Sequence, residues 1–322
     1  MTPNNLDQQL TKYLTDAHSI EQQALAQMKA APKLAGDDQI ADVFAHHLTE
    51  TEEHERLVGE RLHARDAKPS AVKDLVGTLT GKGFGAFAAA NPDTPGKLVV
   101  HAFSYEHLEE AAYDLLGKVA TRAGDTETVA VARQIEAQEH AMGDRVAACF
   151  DRAVELALRD DVQKQLGKYL ADAHAIEAQA LKLLEKGPKH AGSSELAAAY
   201  EEHHAETEEH QRLIGDRLRD RGDSPSVIKD AVLTLGALNW GTFFAAQPDT
   251  PAKLAGFAYA FEHLEAGAYE MLRRVAERAG DAATVNLAGR ILVQEYAAAE
   301  RIRSLFDVAL DASLEAQGVG AR

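Results

Sequence analysis

Glutamates sit where hydrocarbon is expected in the helical stripes of this chain. Apolar residues recur at spacings of four and three through Leu10, Leu14, Ala17, Ala24 and Met28, and Glu21 takes a core position in that series. Glu109 does the same among Leu98, Ala102, Tyr105, Ala112, Leu116 and Val119, and Glu139 among Ala132, Ile135, Met142, Val146 and Cys149. A further stripe reads Ile40, Phe44, His47, Glu50 or Thr51, His54, Leu57 or Val58, so imidazoles three before and four after Glu50 share its face. Four carboxylates converging in one apolar interior are untenable alone, because each desolvated charge costs several kcal/mol and like charges repel. No Lys or Arg lies on these stripes at that level, so bound cations are the simplest neutraliser, two divalent ions for four glutamates. Mixed carboxylate and imidazole donors suit iron, manganese or zinc, whereas calcium and magnesium prefer oxygen alone.

The same set is written twice. Asp16-Ala17-His18 returns at Asp172, Glu50-Thr51 at Glu206 and Glu106-His107-Leu108-Glu109 at Glu262, a constant offset of 156 residues without insertion or deletion. The second set is Glu177, His203, Glu206, His210, Glu265 and Glu295, while elsewhere the copies have drifted, as at Cys149 against Leu305. A single helical glutamate in an acidic chain is by default a solvated one. Four of them on the apolar stripes of four helices, in both copies, point to a buried metal cluster, with carboxylate relics of an ancestral site as the rival reading. His47 and His54 are either direct ligands or core histidines bonded to neighbouring carboxylates. Glu52, Glu53, Glu106 and His107 match between copies but fall at or outside the stripe edge, which places them behind the ligands or on the surface. His18 and His174 take an outer place, and His140 becomes Tyr296.

The elements that must position these groups are all helical, since strand-like alternation is nearly absent. Helix A is expected near 5–30, helix B near 37–66 after the capping signal Gly36-Asp37-Asp38, helix C over 95–123 and helix D from 126 to 158. A crossover over 68–93, carrying Val72, Leu75, Val76, Leu79, Phe84 and Phe87, is expected to hold a short packed helix. Its glycines follow no strand and make no phosphate loop. Two hairpins of long helices joined by one crossover is the ferritin-like variety of four-helix bundle. With 322 residues there is room for two such domains, 1–158 and 159–322, meeting at Arg159-Asp160-Asp161 as a capped break or a nearly continuous helix. The balance of 34 Lys and Arg against 51 Asp and Glu leaves a net charge of −17, which argues against nucleic acid or a membrane surface as partner. The lone Cys149 excludes an internal disulfide, and the start carries no basic-then-apolar leader, so a cytoplasmic protein is expected.

With these residues in view, the sequence resembles the ferritin-like superfamily and, within it, the YciE/YciF family. The resemblance rests on Asp16-Ala17-His18-Ser19-Ile20-Glu21, His47-x-x-Glu50-Thr51, and Glu106-His107-Leu108-Glu109 with Tyr113. It covers both copies and implies an all-α pair of four-helix bundles, arranged here as a fused pseudo-dimer, with a dinuclear site, iron being the expected metal. It also implies a stress-related role and a small oxidant such as oxygen or peroxide as partner. On that reading Glu21 and Glu109 are terminal ligands, Glu50 and Glu139 bridge, and His47 or His54 supplies nitrogen. The superfamily pattern places Glu-x-x-His on two helices, but here Met142 and Ala298 follow Glu139 and Glu295 at that distance, so a half-site on helices C and D is expected to have no imidazole. The competing expectation is a structural or binding protein that keeps the fold without turnover.

Overall fold

The computed structural model describes residues 6–69, 94–158, 161–223 and 249–319, and every regular element among them is an α-helix. The crossover stretch 70–93, its expected short helix and its glycines lie outside the described residues. The chain divides into two compact units, Met1–Cys149 and Phe150–Arg322.

In the first unit α1 (Leu6–Met28) turns through the short α2 (Ala31–Leu34) into α3 (Asp38–His63). After the crossover, α4 (Thr94–Ala123) turns into α5 (Thr126–Ala147). Polar side chains start these helices. Asp37 accepts from the Gln39 and Ile40 amides, and Asp125 accepts from the Thr128 amide, each satisfying donors that the first turn leaves unpaired. Gly124, at φ +73, supplies the left-handed residue that ends α4 one position before that cap. Packing closes a ring in which α1 lies against α3 and α4, and α5 against α4 and α3. Each helix therefore turns its apolar stripe to a common axis. The stripe residues Leu10, Leu14, Ala17, Glu21, Ala24 and Met28 are all buried.

The second unit repeats the ring with α7 (Val162–Leu184), α8 (Gly187–His190), α9 (Ser194–Asp220), α10 (Thr250–Arg278) and α11 (Ala282–Ser304). Two more helices belong to it, α6 (Phe150–Ala157) and α12 (Phe306–Ala316), both packed on α10. Helix D of the first copy therefore does not run unbroken to residue 158. It stops at Ala147, and α6 joins the second unit, where Phe150 lies under the Arg274 guanidinium at 5.7 Å and Asp151 pairs with Arg274 at 3.2 Å. Asp161 caps α7 through the Gln163 and Lys164 amides, while residues 159–160 of the expected junction lie outside the described residues. Among the described residues no helix is long and apolar enough to cross a membrane.

Candidate metal centre

The buried positions of α3 follow one another at Ile40, Phe44, His47, Thr51, His54, Val58 and Leu62, a narrow stripe in which both imidazoles lie one above the other. Thr51 binds the His47 carbonyl at 2.9 Å, so the hydroxyl at this depth is satisfied within its own helix. α1 contributes Glu21, α5 contributes Glu139, and α4 contributes Glu106, Glu109 and Tyr113 from a much wider buried face. His47, His54 and these four glutamates are completely buried.

Two groups form, joined by one side chain. His47 Nε2 stands 3.0 Å from Glu106 and 3.5 Å from Glu139 Oε2, and Glu109 completes a set whose ligand atoms lie within 4.8 Å of one another. His54 Nδ1 stands 2.7 Å from Glu139 Oε1 and 3.9 Å from Glu21, forming the second set. Glu139 thus offers one oxygen to each. In the second unit His203 Nε2 is 2.6 Å from Glu262 and 3.5 Å from Glu295 Oε2, with Glu265 alongside. His210 Nδ1 is 2.9 Å from Glu295 Oε1 and 3.7 Å from Glu177.

Close as these atoms are, they do not pair with one another in hydrogen-bond geometry. Glu21 Oε2, His47 Nε2, His54 Nδ1 and both oxygens of Glu106, Glu109 and Glu139 are buried without such a partner, as are the matching ligand atoms His203 Nε2, His210 Nδ1 and both oxygens of Glu265 and Glu295. Buried polar atoms are normally satisfied, so this inward-facing set of orphans is one that a cation could satisfy. The outward sides, in contrast, are held. His47 Nδ1 bonds Glu50 at 3.0 Å, His54 Nε2 bonds the Gln138 side-chain amide oxygen at 3.2 Å, and Tyr113 donates its hydroxyl to Glu21. Glu50 is further tied to Arg145. The second unit repeats this with Glu206 and Arg301, Gln294, and Tyr269 on Glu177.

The electrostatics reflect a deficit of positive charge. Burial lifts the Glu21 carboxyl to about 8 and Glu106 to about 7, and it lifts Glu109 well above the carboxylate range with only the charges of Glu139, Glu21 and Glu106 beside it. Burial opposes charge on His47 too, but Glu106 and Glu50 outweigh it and hold the imidazole protonated far beyond its ordinary range. Burial works against Glu50 as well, yet His47 and Arg145 pull it down to about 2. In the second unit Glu262 rises to about 7 by burial, and His203, against burial, rises to about 11 through Glu262.

Of the residues expected from the sequence, Glu21, His47, His54, Glu109 and Glu139 come together, as do Glu177, His203, His210, Glu265 and Glu295. Glu50 and Glu206 do not. Their carboxylates turn to the rim, where the Glu50 side chain is 17 % exposed, and they sit behind a histidine in place of bridging. Glu106 and Glu262, which stripe spacing put at the edge, take the inner places. Their recurrence in both copies three residues before Glu109 and Glu265 was the available signal. Nor does either group lack an imidazole, because α3 supplies one to each from His47 and His54. Seven residues separate them along α3, a rise of roughly 10 Å at 1.5 Å per residue, yet the rings lean to 6.3 Å between centroids. Glu52 and Glu53 are exposed, and His18 pairs outward with Glu55 at 3.0 Å.

Residues 5–159 and 161–315 each match the family model described as "Domain of unknown function (DUF892)". No solved structure matches the chain.

Proposed function

The chain belongs to the DUF892 family in both copies of its repeat, and from the centres those copies enclose we propose that each unit holds a pair of divalent transition ions used in oxygen, peroxide or iron chemistry. The observation that carries this reading is Glu139, fully buried, with one oxygen in each of two groups that each include an imidazole, repeated at Glu295. His47, Glu106, Glu109 and Glu139 would hold one ion, and Glu21, His54 and Glu139 the other. Four carboxylates then balance two divalent charges, and the orphaned oxygens and nitrogens gain partners. The mixed donor set suits iron, manganese or zinc, and the resemblance to ferritin-like proteins puts iron first. Redox-active ions held by these residues would be able to give electrons to a small oxidant.

The chain's own residues shape the surroundings. Leu14, Ala17, Ala102, Tyr105, Ile135 and Met142, all buried, line the same core as the carboxylates and exclude bulk water. Tyr113, kept protonated first by burial and then by the Glu21 charge, donates to one oxygen of Glu21 and leaves the other facing inward. A stress-related role belongs to this reading and equally to its alternative, a structural or binding protein that keeps the fold without turnover, and experiment separates the two. Metal-free protein reconstituted with ferrous iron and dialysed should retain two ions per unit by elemental analysis, and should then consume peroxide or oxidise further ferrous iron faster than buffer. Retention without turnover leaves a metal-binding protein and removes the redox half. No retention removes both.

A further inference from the structure

The two histidines of each unit face the site through opposite nitrogens. His47 turns Nε2 inward and gives Nδ1 to Glu50, whereas His54 turns Nδ1 inward and gives Nε2 to the side-chain amide oxygen of Gln138. The second unit keeps both arrangements, His203 with Glu206 at 3.0 Å and His210 with Gln294 at 3.2 Å. A carboxylate or an amide oxygen can only accept, so the outer imidazole nitrogen must carry a hydrogen, and a cation that displaces the inner proton would meet the lone pair of the inner nitrogen.

The backing groups differ in charge. Glu50 is an anion anchored by Arg145, while Gln138 is neutral. A hydrogen bond to an anion raises the basicity of the ligating nitrogen more than one to an amide. Ligand number runs the same way, since the group around His47 has four residues and the group around His54 three, one of them shared.

We propose that Glu50 and Glu206 are positioning residues which, against the neutral Gln138 and Gln294, make the two half-sites of each unit unequal, so that the His47 and His203 half-sites fill first. This ordering rests on the dinuclear reading above. It makes the Glu21 and His54 half-site, with fewer protein ligands, the one left open to an incoming small molecule.

The test titrates cobalt(II) alone into the metal-free full chain and follows absorption and calorimetry. Two classes of ion are expected, one tight and one weak in each unit. Glu50→Gln with Glu206→Gln should weaken the tight class about 10–100-fold and leave the weak class in place. Glu50→Asp with Glu206→Asp should restore part of that loss, and Gln138→Leu with Gln294→Leu should weaken only the other class. In zinc-loaded protein, nitrogen-15 spectra should show one pair of imidazoles ligated through Nε2 and one pair through Nδ1. A single affinity for all ions, one ligating nitrogen for every histidine, or both variant pairs weakening the same class overturns the ordering while leaving a metal centre. No cobalt bound by the parent chain overturns the dinuclear reading, and the ordering with it.

Discussion

At the scale of the residue, the unusual groups are those that lack a counter-charge. Glu109 is completely buried, neither of its oxygens has a hydrogen-bond partner, and the charges acting on it are those of other glutamates. His47 at least faces Glu106. In the metal-free protein Glu109 is therefore a net cost, and a volume-conserving apolar replacement should relieve it. Glu109→Met is expected to raise metal-free stability by about 1–3 kcal/mol while reducing the ions retained. Thermal melts with and without chelator, beside elemental analysis, check both halves. A metal-free variant that melts below the parent would falsify the view of Glu109 as an uncompensated group. Stability surrendered at such a position is the ordinary trade for a functional site.

At the scale of the element, the caps decide where each helix begins and what it is tied to. Asp281 accepts the Thr284 amide at 3.0 Å and its hydroxyl at 2.8 Å, and it also receives Arg217 at 2.6 Å and Arg221 at 3.1 Å from the end of α9. Asp125 does the same for α5 with Arg61 and Arg65. Burial alone would raise the Asp281 carboxyl, but Arg217 and Thr284 hold it down at about 2. A carboxylate whose folded pKa lies below its unfolded value stabilises the fold above the unfolded value, about 3.9, and loses that contribution as pH falls toward the folded one. Asp281→Ala should thus cost about 2 kcal/mol at pH 7, near the top of the N-cap range, because the arginines lose their partner as well. The gap between parent and variant should narrow between pH 4 and about 2. Denaturant unfolding of both proteins across that range is the measurement, and a gap that stays constant rules the mechanism out.

At the scale of the molecule, duplication has produced two centres, each enclosed by its own unit. Every ligand of a group comes from one unit, so loading of one should not require the other. Glu139→Ala should remove the ions of the first unit and halve the total, Glu295→Ala should do so for the second, and the double variant should retain none. Should either single variant empty both units, the centres are coupled. The copies are nevertheless not identical around the site. Glu110, buried and 3.4 Å from His140 in the first unit, is matched by Ala266 and Tyr296 in the second, where the Tyr296 ring instead lies 5.9 Å from His263.

The amino-acid order alone determined the repeat, the helical class, the capped start at Asp37, and five of the inward residues in each copy, because helical periodicity reports which direction a side chain leaves its own axis. It could not determine how wide an arc of each helix is covered, since that depends on the neighbours. α3 buries a stripe one residue wide, so Thr51 takes the inner place and Glu50 falls to the rim. α4 lies against α1, α2 and α5 and is buried around much of its circumference, so Glu106, Glu109 and Glu110 all lie inside. The break that ends α5 at Ala147 and gives α6 to the second unit was equally a matter of packing. The allotment of one histidine to each group belongs to tertiary structure for the same reason. It is set by the heights at which Glu21, Glu106 and Glu139 meet α3, and those heights exist only once the four helices are side by side.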